Sequence, residues 1–333
     1  MARGHAGSDG VKALRIARPL AMLIPLCAAG AVLAQNYPAR PLRLIVPWPP
    51  GGGADVIARV IFQKVGDAIG QQVIVDNRGG ASTIIGMEMV AKATPDGYTF
   101  GFPTSNLAVN PALFAKLPFD AARDLAPVMH AVNGLYILAV HPSLPAKSVK
   151  ELIALAKAAP GKLNASIAGA GTPTHLGLEQ FKAMAGVSIA AINYKGAAPA
   201  ATGLLSGETQ IMFVSAPTVL TQVQAGKLRA IAVMGAKRSS ALPDLPTIAE
   251  SGLDGYAVSE WYGVVAPAGT SALHVDRINA ELRKVLAQPE VKDRLVVVGA
   301  EIVASSPQEF GAFIKTDIAK WAKLVREAGI KVE

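Results

Sequence analysis

LRLIVPWPPGGGADVIARVIFQKVGDAIG, residues 42–70, decides the fold class. The apolar run at 42–46 has strand length, and PWPPGGG at 47–53 can only be a turn. Residues 55–69 then place Ile57, Ile61, Val65 and Ile69 on one helical face, and Gly70 offers a left-handed stop. Strand, glycine turn and helix in that order open a layered α/β unit. The pattern returns at LNASIAGAGTPTHLGLEQFKAMAG, residues 163–186, about 120 residues further on. There a strand is expected at 163–167, a glycine loop at 168–173, and a helix at 175–185 with Leu178, Phe181 and Ala185 on one face.

Outward from these two units, strand-length runs lie at 73–75, 98–102, 136–140, 189–194, 211–214, 228–233 and 261–266. Stretches of helical period fall at 83–93, 149–159 and 199–205, and two long amphipathic helices close the chain. The last of these repeats Phe310, Ile314, Ile318, Trp321 and Val325 at three- and four-residue steps. Apolar strands alternating with helices predict α/β layers with mainly parallel strands. No solenoid repeat or low-complexity tract interrupts them.

A chain of 333 residues, 51% hydrophobic and 17% charged, excludes disorder and fibre classes. Its formal charge of +8 raises the question of nucleic acid. Part of that charge belongs to the first 34 residues, where Arg3, Lys12, Arg15 and Arg18 stand against Asp9 and an apolar stretch at 19–34 follows. This is the layout of an export signal, with cleavage expected after Ala34. Losing it lowers the net charge by three and removes Cys27, the only cysteine, and with it disulfides, thiolate nucleophiles and cysteine-bound metals. The remaining basic residues are scattered among acids, so no nucleic-acid footprint forms.

Helix N-termini expose unpaired N–H groups and a partial positive charge, and a glycine lead-in lets an anion reach them. Gly51, Gly52 and Gly53, with Ala54 and Asp55, form one such setting. Ala168, Gly169, Ala170, Gly171 and Thr172 form the other. Two such loops facing across a cleft would clamp a small carboxylate with hydrogen-bond donors alone; singly, each could equally be a tight strand-to-helix turn. Asp55 reads as a helix cap or as a ligand contact. His175, in the first turn of the second helix, could donate to an anion or cap and pack. Thr104, Ser105 and Asn106 follow a strand end, where open α/β sheets bind ligands, and Tyr194 and Ser215 hold the same kind of position in the second unit.

Catalytic sets do not assemble. The histidines stand apart, and the sequence contains no HExxH zinc motif, no Gly-x-Ser-x-Gly elbow and no Gly-Lys-Ser/Thr phosphate loop. Neither metal nor cofactor is expected. A secreted hydrolase or transferase using Asp55 or His175 as a base is the alternative, and it has no activated nucleophile to name. A structural module is a third, set against the polar loops just described.

An ordered set of motifs then points to a family: YPARPLRLIVPWPPGGGADVIAR (37–59), VIVDNRGGAS (73–82), PDGYTF (95–100), NPALFAKLPFD (110–120), SIAGAGTPTHL (166–176), INYKGAAPA (192–200), AGKLRAIAV (225–233), LPDLPTIAESG (242–252) and WYGVVAPAGT (261–270). Across nearly the whole exported chain the sequence resembles the Bug-type extracytoplasmic solute receptors of the tripartite tricarboxylate transporter system. The resemblance implies a type II periplasmic binding-protein fold of two α/β lobes, one from residues 35–136 plus 262–333 and the other from 137–261. Strands near 136–140 and 261–266 would cross between them.

The resemblance also implies a small carboxylate held in the cleft by the loops at 51–55, 104–106 and 168–175, with closure read by membrane transporter subunits or a sensor, and a monomeric receptor in the periplasm. Two departures stand out. Gly53 and Ala54 replace a hydroxyl pair common in the family, leaving backbone N–H groups as the main donors there. Phe213 and Val214 replace a Phe-Asp pair, so an acid for a ligand ammonium is missing and a non-amino carboxylate is expected.

Overall fold

The computed structural model describes Met1 and residues 37–328. The expected export signal, apart from Met1, lies outside the described residues. In chain order the elements are β1 (Leu42–Val46), α1 (Gly53–Ile69), β2 (Val73–Asn77), α2 (Ile84–Ala91), β3 (Thr99–Gly101), α3 (Asn106–Leu113), β4 (Leu125–Gly134), β5 (Tyr136–Val140), α4 (Val149–Ala158), β6 (Asn164–Ile167) and α5 (Pro173–Ala185). There follow β7 (Ala190–Asn193), α6 (Ala197–Leu205), β8 (Ile211–Ser215), α7 (Ala216–Gln224), β9 (Arg229–Val233), β10 (Glu260–Pro267), α8 (Ala272–Leu286), α9 (Pro289–Val297), β11 (Glu301–Ile302) and α10 (Pro307–Ala328).

The strands form two sheets, ordered β11-β4-β10-β3-β1-β2 and β7-β6-β8-β5-β9. Both units read from the sequence are parallel at their centres: β1 pairs parallel with β2 and β3, and β6 with β7 and β8. The expectation of mainly parallel strands needs correction, because β10 runs antiparallel to β3 and β4, and β5 antiparallel to β8 and β9. These are the segments beside the passages between sheets, so their direction is set by where the chain enters rather than by a crossover helix.

The passages are shorter than expected. Strands β5 and β10 each lie wholly within one sheet. The chain leaves the first sheet at Leu135, between β4 and β5, and re-enters it at Glu260, which pairs in register with Gly134. Apolar packing does not stop at this neck. One buried cluster joins Ile45, Met87 and Val265 of the first half to Tyr136, Leu138 and Phe213 of the second. Two further clusters cover the remaining faces, α1 and α8 over the first sheet and α6 and α7 over the second.

Besides the two-residue β11 and one closing helix, three elements escaped the sequence pattern. Strand β4 carries Pro127 and His130, which break an alternating signature, and its pairing with β10 is shifted beside Pro127. Helix α3 contains Pro111 and buries Asn106, Leu107, Ala108, Val109 and Asn110 in succession, so it has no amphipathic stripe. Helix α7 begins directly at the end of β8, leaving no loop to mark it. The closing region holds three helices, α8, α9 and α10, where two were expected.

Candidate functional site

Five helix N-termini converge on one cavity between the sheets. Its lining includes Gly52, Gly53 and Ala54 at the start of α1, Thr104 and Asn106 at α3, Thr172, Pro173 and Thr174 at α5, Ala197 at α6, and Ser215 at α7. Trp48, Pro49, Tyr136, Ala168, Met212, Phe213, Val214, Glu260 and Tyr262 complete the wall. None of these described lining residues is basic. Positive potential in the cavity therefore comes from aligned backbone dipoles, each end worth a partial charge of about half a unit, and from the first-turn N–H groups left uncapped, those of α1 foremost. The enclosed volume is about 50 Å³, room for a few waters. A wider recess of about 680 Å³ adjoins it, lined by Gly79 to Thr83, Gly169, Ala170, Tyr194 and Gly196.

The two halves touch around this cavity. Ser215 Oγ lies 2.9 Å from Tyr262 Oη, and Ser105 Oγ 3.2 Å from Tyr136 Oη. On the rim, Ser82 Oγ donates to the Ala170 carbonyl at 2.5 Å. Ala81, Ser82 and Thr83 all hold positive φ, at 44°, 50° and 80°, which is strained backbone for residues with side chains. Helix α3 holds that turn in place: Asn110 Nδ2 donates to the Ser82 carbonyl at 2.8 Å and Asn106 Nδ2 at 3.4 Å. Trp48 Nε1 donates to Thr104 Oγ1 at 3.2 Å.

Close approach explains two glycines. A Cβ on Gly53 would lie 2.4 Å from Ser215 Oγ and 2.8 Å from Tyr262 Oη, and one on Gly196 would lie 2.9 Å from Pro49 Cγ. Gly51 and Gly52 face the start of α6, where their added Cβ atoms would meet Ala198 and Ala197 at 3.4 and 3.7 Å. The end directly opposite α1 is thus α6, from the INYKGAAPA motif, beside the α5 end that the sequence singled out.

Several expected residues serve the loops themselves. Asp55 is 5% exposed, accepts from the Gly51 N–H at 3.0 Å, and accepts from Arg59 Nε at 2.9 Å. Burial alone would raise its carboxyl, but the bonds from Arg59, Gly51 and Asn77 outweigh that and hold it below the usual carboxylate range. Ser105 is fully buried against Tyr136. His175 Nδ1 accepts from the Gly171 N–H at 3.1 Å, and neither residue is among those lining the cavity. Burial lowers the His175 imidazole; Glu179 opposes this and Lys182 reinforces it. Gly169, Ala170 and Tyr194 line the outer recess.

Sequence reasoning missed Trp48, Tyr136, Tyr262 and above all Glu260. The expectation that the site lacks an acid needs correction: Val214 near the end of β8 is apolar, but Glu260 reaches the same cavity from β10. A lone charge opening the otherwise apolar strand WYGVVAP was the available signal.

Comparison with known proteins gives the family and the fold. The family pattern described as "Tripartite tricarboxylate transporter family receptor" matches residues 57–330. The protein BugT of Bordetella pertussis is 37% identical over 307 residues, spanning 92% of this chain and 94% of the relative. Among solved structures, R. palustris Rpa4515 with adipate superposes at a TM-score of 0.86 with 36% identity, covering 89% of this chain and 99% of that one. MatC from Rhodopseudomonas palustris with bound malate gives a TM-score of 0.82 with 27% identity, covering 87% and 100%.

Proposed function

This chain belongs to the tripartite tricarboxylate transporter receptor family, and from that premise we propose that it closes its two sheets on a small organic carboxylate and presents it to the membrane subunits of such a transporter. The observation that carries the reading is the convergence of five helix ends on a cavity lined by no basic side chain among the described residues. Oriented N–H groups bind a carboxylate without a counter-ion, and they need no reorganisation when it arrives. Adipate and malate in the two similar structures support the ligand class.

In this reading residues 37–134 plus 260–328 form one lobe and 136–259 the other, the expected bounds at 136 and 262 each moving by two residues to the hinge at Leu135 and before Glu260. Gly52, Gly53, Ala54, Thr104, Asn106 and Ser215 contact the ligand, and Thr172 with Ala168 forms the wall behind it. Asp55, Ser105, Gly171 and His175 shape the loops. Gly51, Gly169, Ala170 and Tyr194 form the mouth. Residues 1–34 direct export to the periplasm and are removed, which N-terminal sequencing of the exported protein checks. The receptor acts by binding and closure, without turnover.

The test is a thermal-shift and calorimetric panel of mono-, di- and tricarboxylates on the purified protein. A ligand at a hundredfold its dissociation constant adds about 2.7 kcal/mol of stability. A flat response across the panel, or chemical conversion of any member, rejects the reading.

A further inference from the structure

Carboxylate capture by helix ends leaves one group of the cavity without a task. Glu260 is 5% exposed and opens β10 at the neck between the sheets. Ser215 Oγ donates to its Oε2 at 2.9 Å, the Tyr262 hydroxyl donates to its Oε1, and the Tyr136 hydroxyl is a third partner. On the β4 side the backbone closes in, since a Cβ on Gly134 would lie 2.5 Å from Oε2. The charged or titratable groups facing this cluster are Tyr136 from β5, Tyr262 from β10 and Asp317 from α10, the last bonded to Trp261 Nε1 at 2.8 Å. All the hydroxyls are neutral, Asp317 is another acid, and no described cation pairs with Glu260.

A buried carboxylate without a cation carries a desolvation cost that hydroxyl donors only partly offset. Burial accordingly pushes the Glu260 carboxyl up to about 8, against the pull of Tyr262, Ser215 and Tyr136. An anion drawn into the cavity adds repulsion to any charge left on Glu260. Keeping the proton removes that repulsion and supplies an O–H donor, the stronger kind of hydrogen bond when the acceptor is ionised.

We propose that Glu260 is the specificity-determining residue of this cavity: as a neutral acid it donates a hydrogen bond to an oxygen of the bound carboxylate ligand, so that a dicarboxylate is taken in preference to its 2-amino counterpart. This rests on the carboxylate reading above and deepens it. An ammonium group beside Glu260 would find a neutral acid in place of a counter-ion, and it would also oppose the five helix ends that favour negative charge. Proton occupancy links affinity to pH: the folded acid titrates above its unfolded value, so carboxylate binding is at full strength below about pH 7 and weakens as pH rises through about 8.

Two measurements decide it. Infrared difference spectra of the unliganded protein at pH 7, wild type minus Glu260→Gln, are expected to show a protonated-carboxyl C=O band; its absence overturns the role of Glu260 irrespective of any ligand. Calorimetry with the pairs succinate and aspartate, glutarate and glutamate, and adipate and 2-aminoadipate is then expected to favour the amine-free member of the pair that binds. Wild-type affinity should fall about tenfold between pH 7 and pH 9, and Glu260→Gln should remove that dependence. Tighter binding of an amino acid, with affinity rising with pH, overturns the proposal. If no member binds, the ligand half of this proposal fails while the carboxylate reading stands or falls on the wider panel of mono-, di- and tricarboxylates, and a missing band alone leaves that reading standing.

Discussion

The two glycine loops look interchangeable as sequence and differ as structure. Helix α1 starts at Gly52 with no side-chain cap, so the N–H groups of Gly53 and Ala54 have no capping partner on their own loop. Helix α5 caps itself. Thr172 Oγ1 accepts from the His175 N–H at 3.2 Å and donates to the Gly169 carbonyl at 2.9 Å, Pro173 has no N–H, and the Gly171 N–H is taken by the His175 ring. One loop thus keeps its donors open toward the cavity, and the other is a stiff, largely satisfied wall against which the first closes. A glycine-rich lead-in supplies access to a helix end; whether donors remain there depends on the capping residue.

This contrast can be broken most forcefully at Gly53. Gly53→Ala introduces a Cβ where Ser215 Oγ lies 2.4 Å away, and affinity for any carboxylate ligand is expected to fall at least about a hundredfold, the scale of a lost well-oriented charged contact plus blocked closure. Calorimetry measures it, while an unchanged circular-dichroism spectrum shows the fold intact. A variant that binds normally would show that α1 is not the open side.

Next comes the rim. Ser82→Ala removes the hydroxyl bonded to the Ala170 carbonyl, a loss of about 1 kcal/mol. Since the bond exists only between the halves, ligand affinity should drop about fivefold with little change in the stability of each half. Equal affinity for both proteins in calorimetry would remove the latch.

A smaller effect is expected on the self-capped side. Thr172→Ala should lower unfolding stability by about 1 kcal/mol in denaturant titration but alter affinity by less than about threefold. A binding loss as large as that of Gly53→Ala would mean that the second loop, too, gives its donors to the ligand.

The finest test is acid titration of the loop amides by NMR. Burial depresses the His175 imidazole, so the unfolded chain takes up that proton first and the support it gives Gly171 is lost as pH falls below about 6.5 toward the lowered folded value. Asp55 is also depressed, but it is an acid, and its support of Gly51 persists until pH falls through a value below 3.8. The Gly171 resonance should therefore move at higher pH than that of Gly51. The reverse order would contradict the assignment of these two side chains to their loops.

Much of this architecture was legible because period and punctuation coincide. β1, β5 and α5 fall where apolar runs and glycines place them, and Gly70 and Gly186 end α1 and α5 in the left-handed conformation at φ 66° and 62°. β4 and α3 were not legible, since burial on all sides erases the alternation that marks an exposed face, and α7 was not because it starts at the last residue of β8 with no loop between them. The site was legible in part. Loops that begin helices advertise themselves, and eight of the residues expected from the sequence line the cavity: Gly52, Gly53, Ala54, Thr104, Asn106, Ala168, Thr172 and Ser215. Trp48, Tyr136, Glu260 and Tyr262 reach it from strands or strand ends whose apolar neighbours conceal them.

The amino-acid order alone determined two α/β units and their glycine turns, because local propensity and spacing need no partner to act. Only the tertiary structure decided which turn keeps its N–H groups open, that α6 rather than α5 alone stands opposite α1, and that Glu260 from the returning strand lies among hydroxyls from Ser215, Tyr136 and Tyr262. Those facts depend on which surfaces meet across the neck, and a contact between residues far apart in the chain leaves no periodic trace in it.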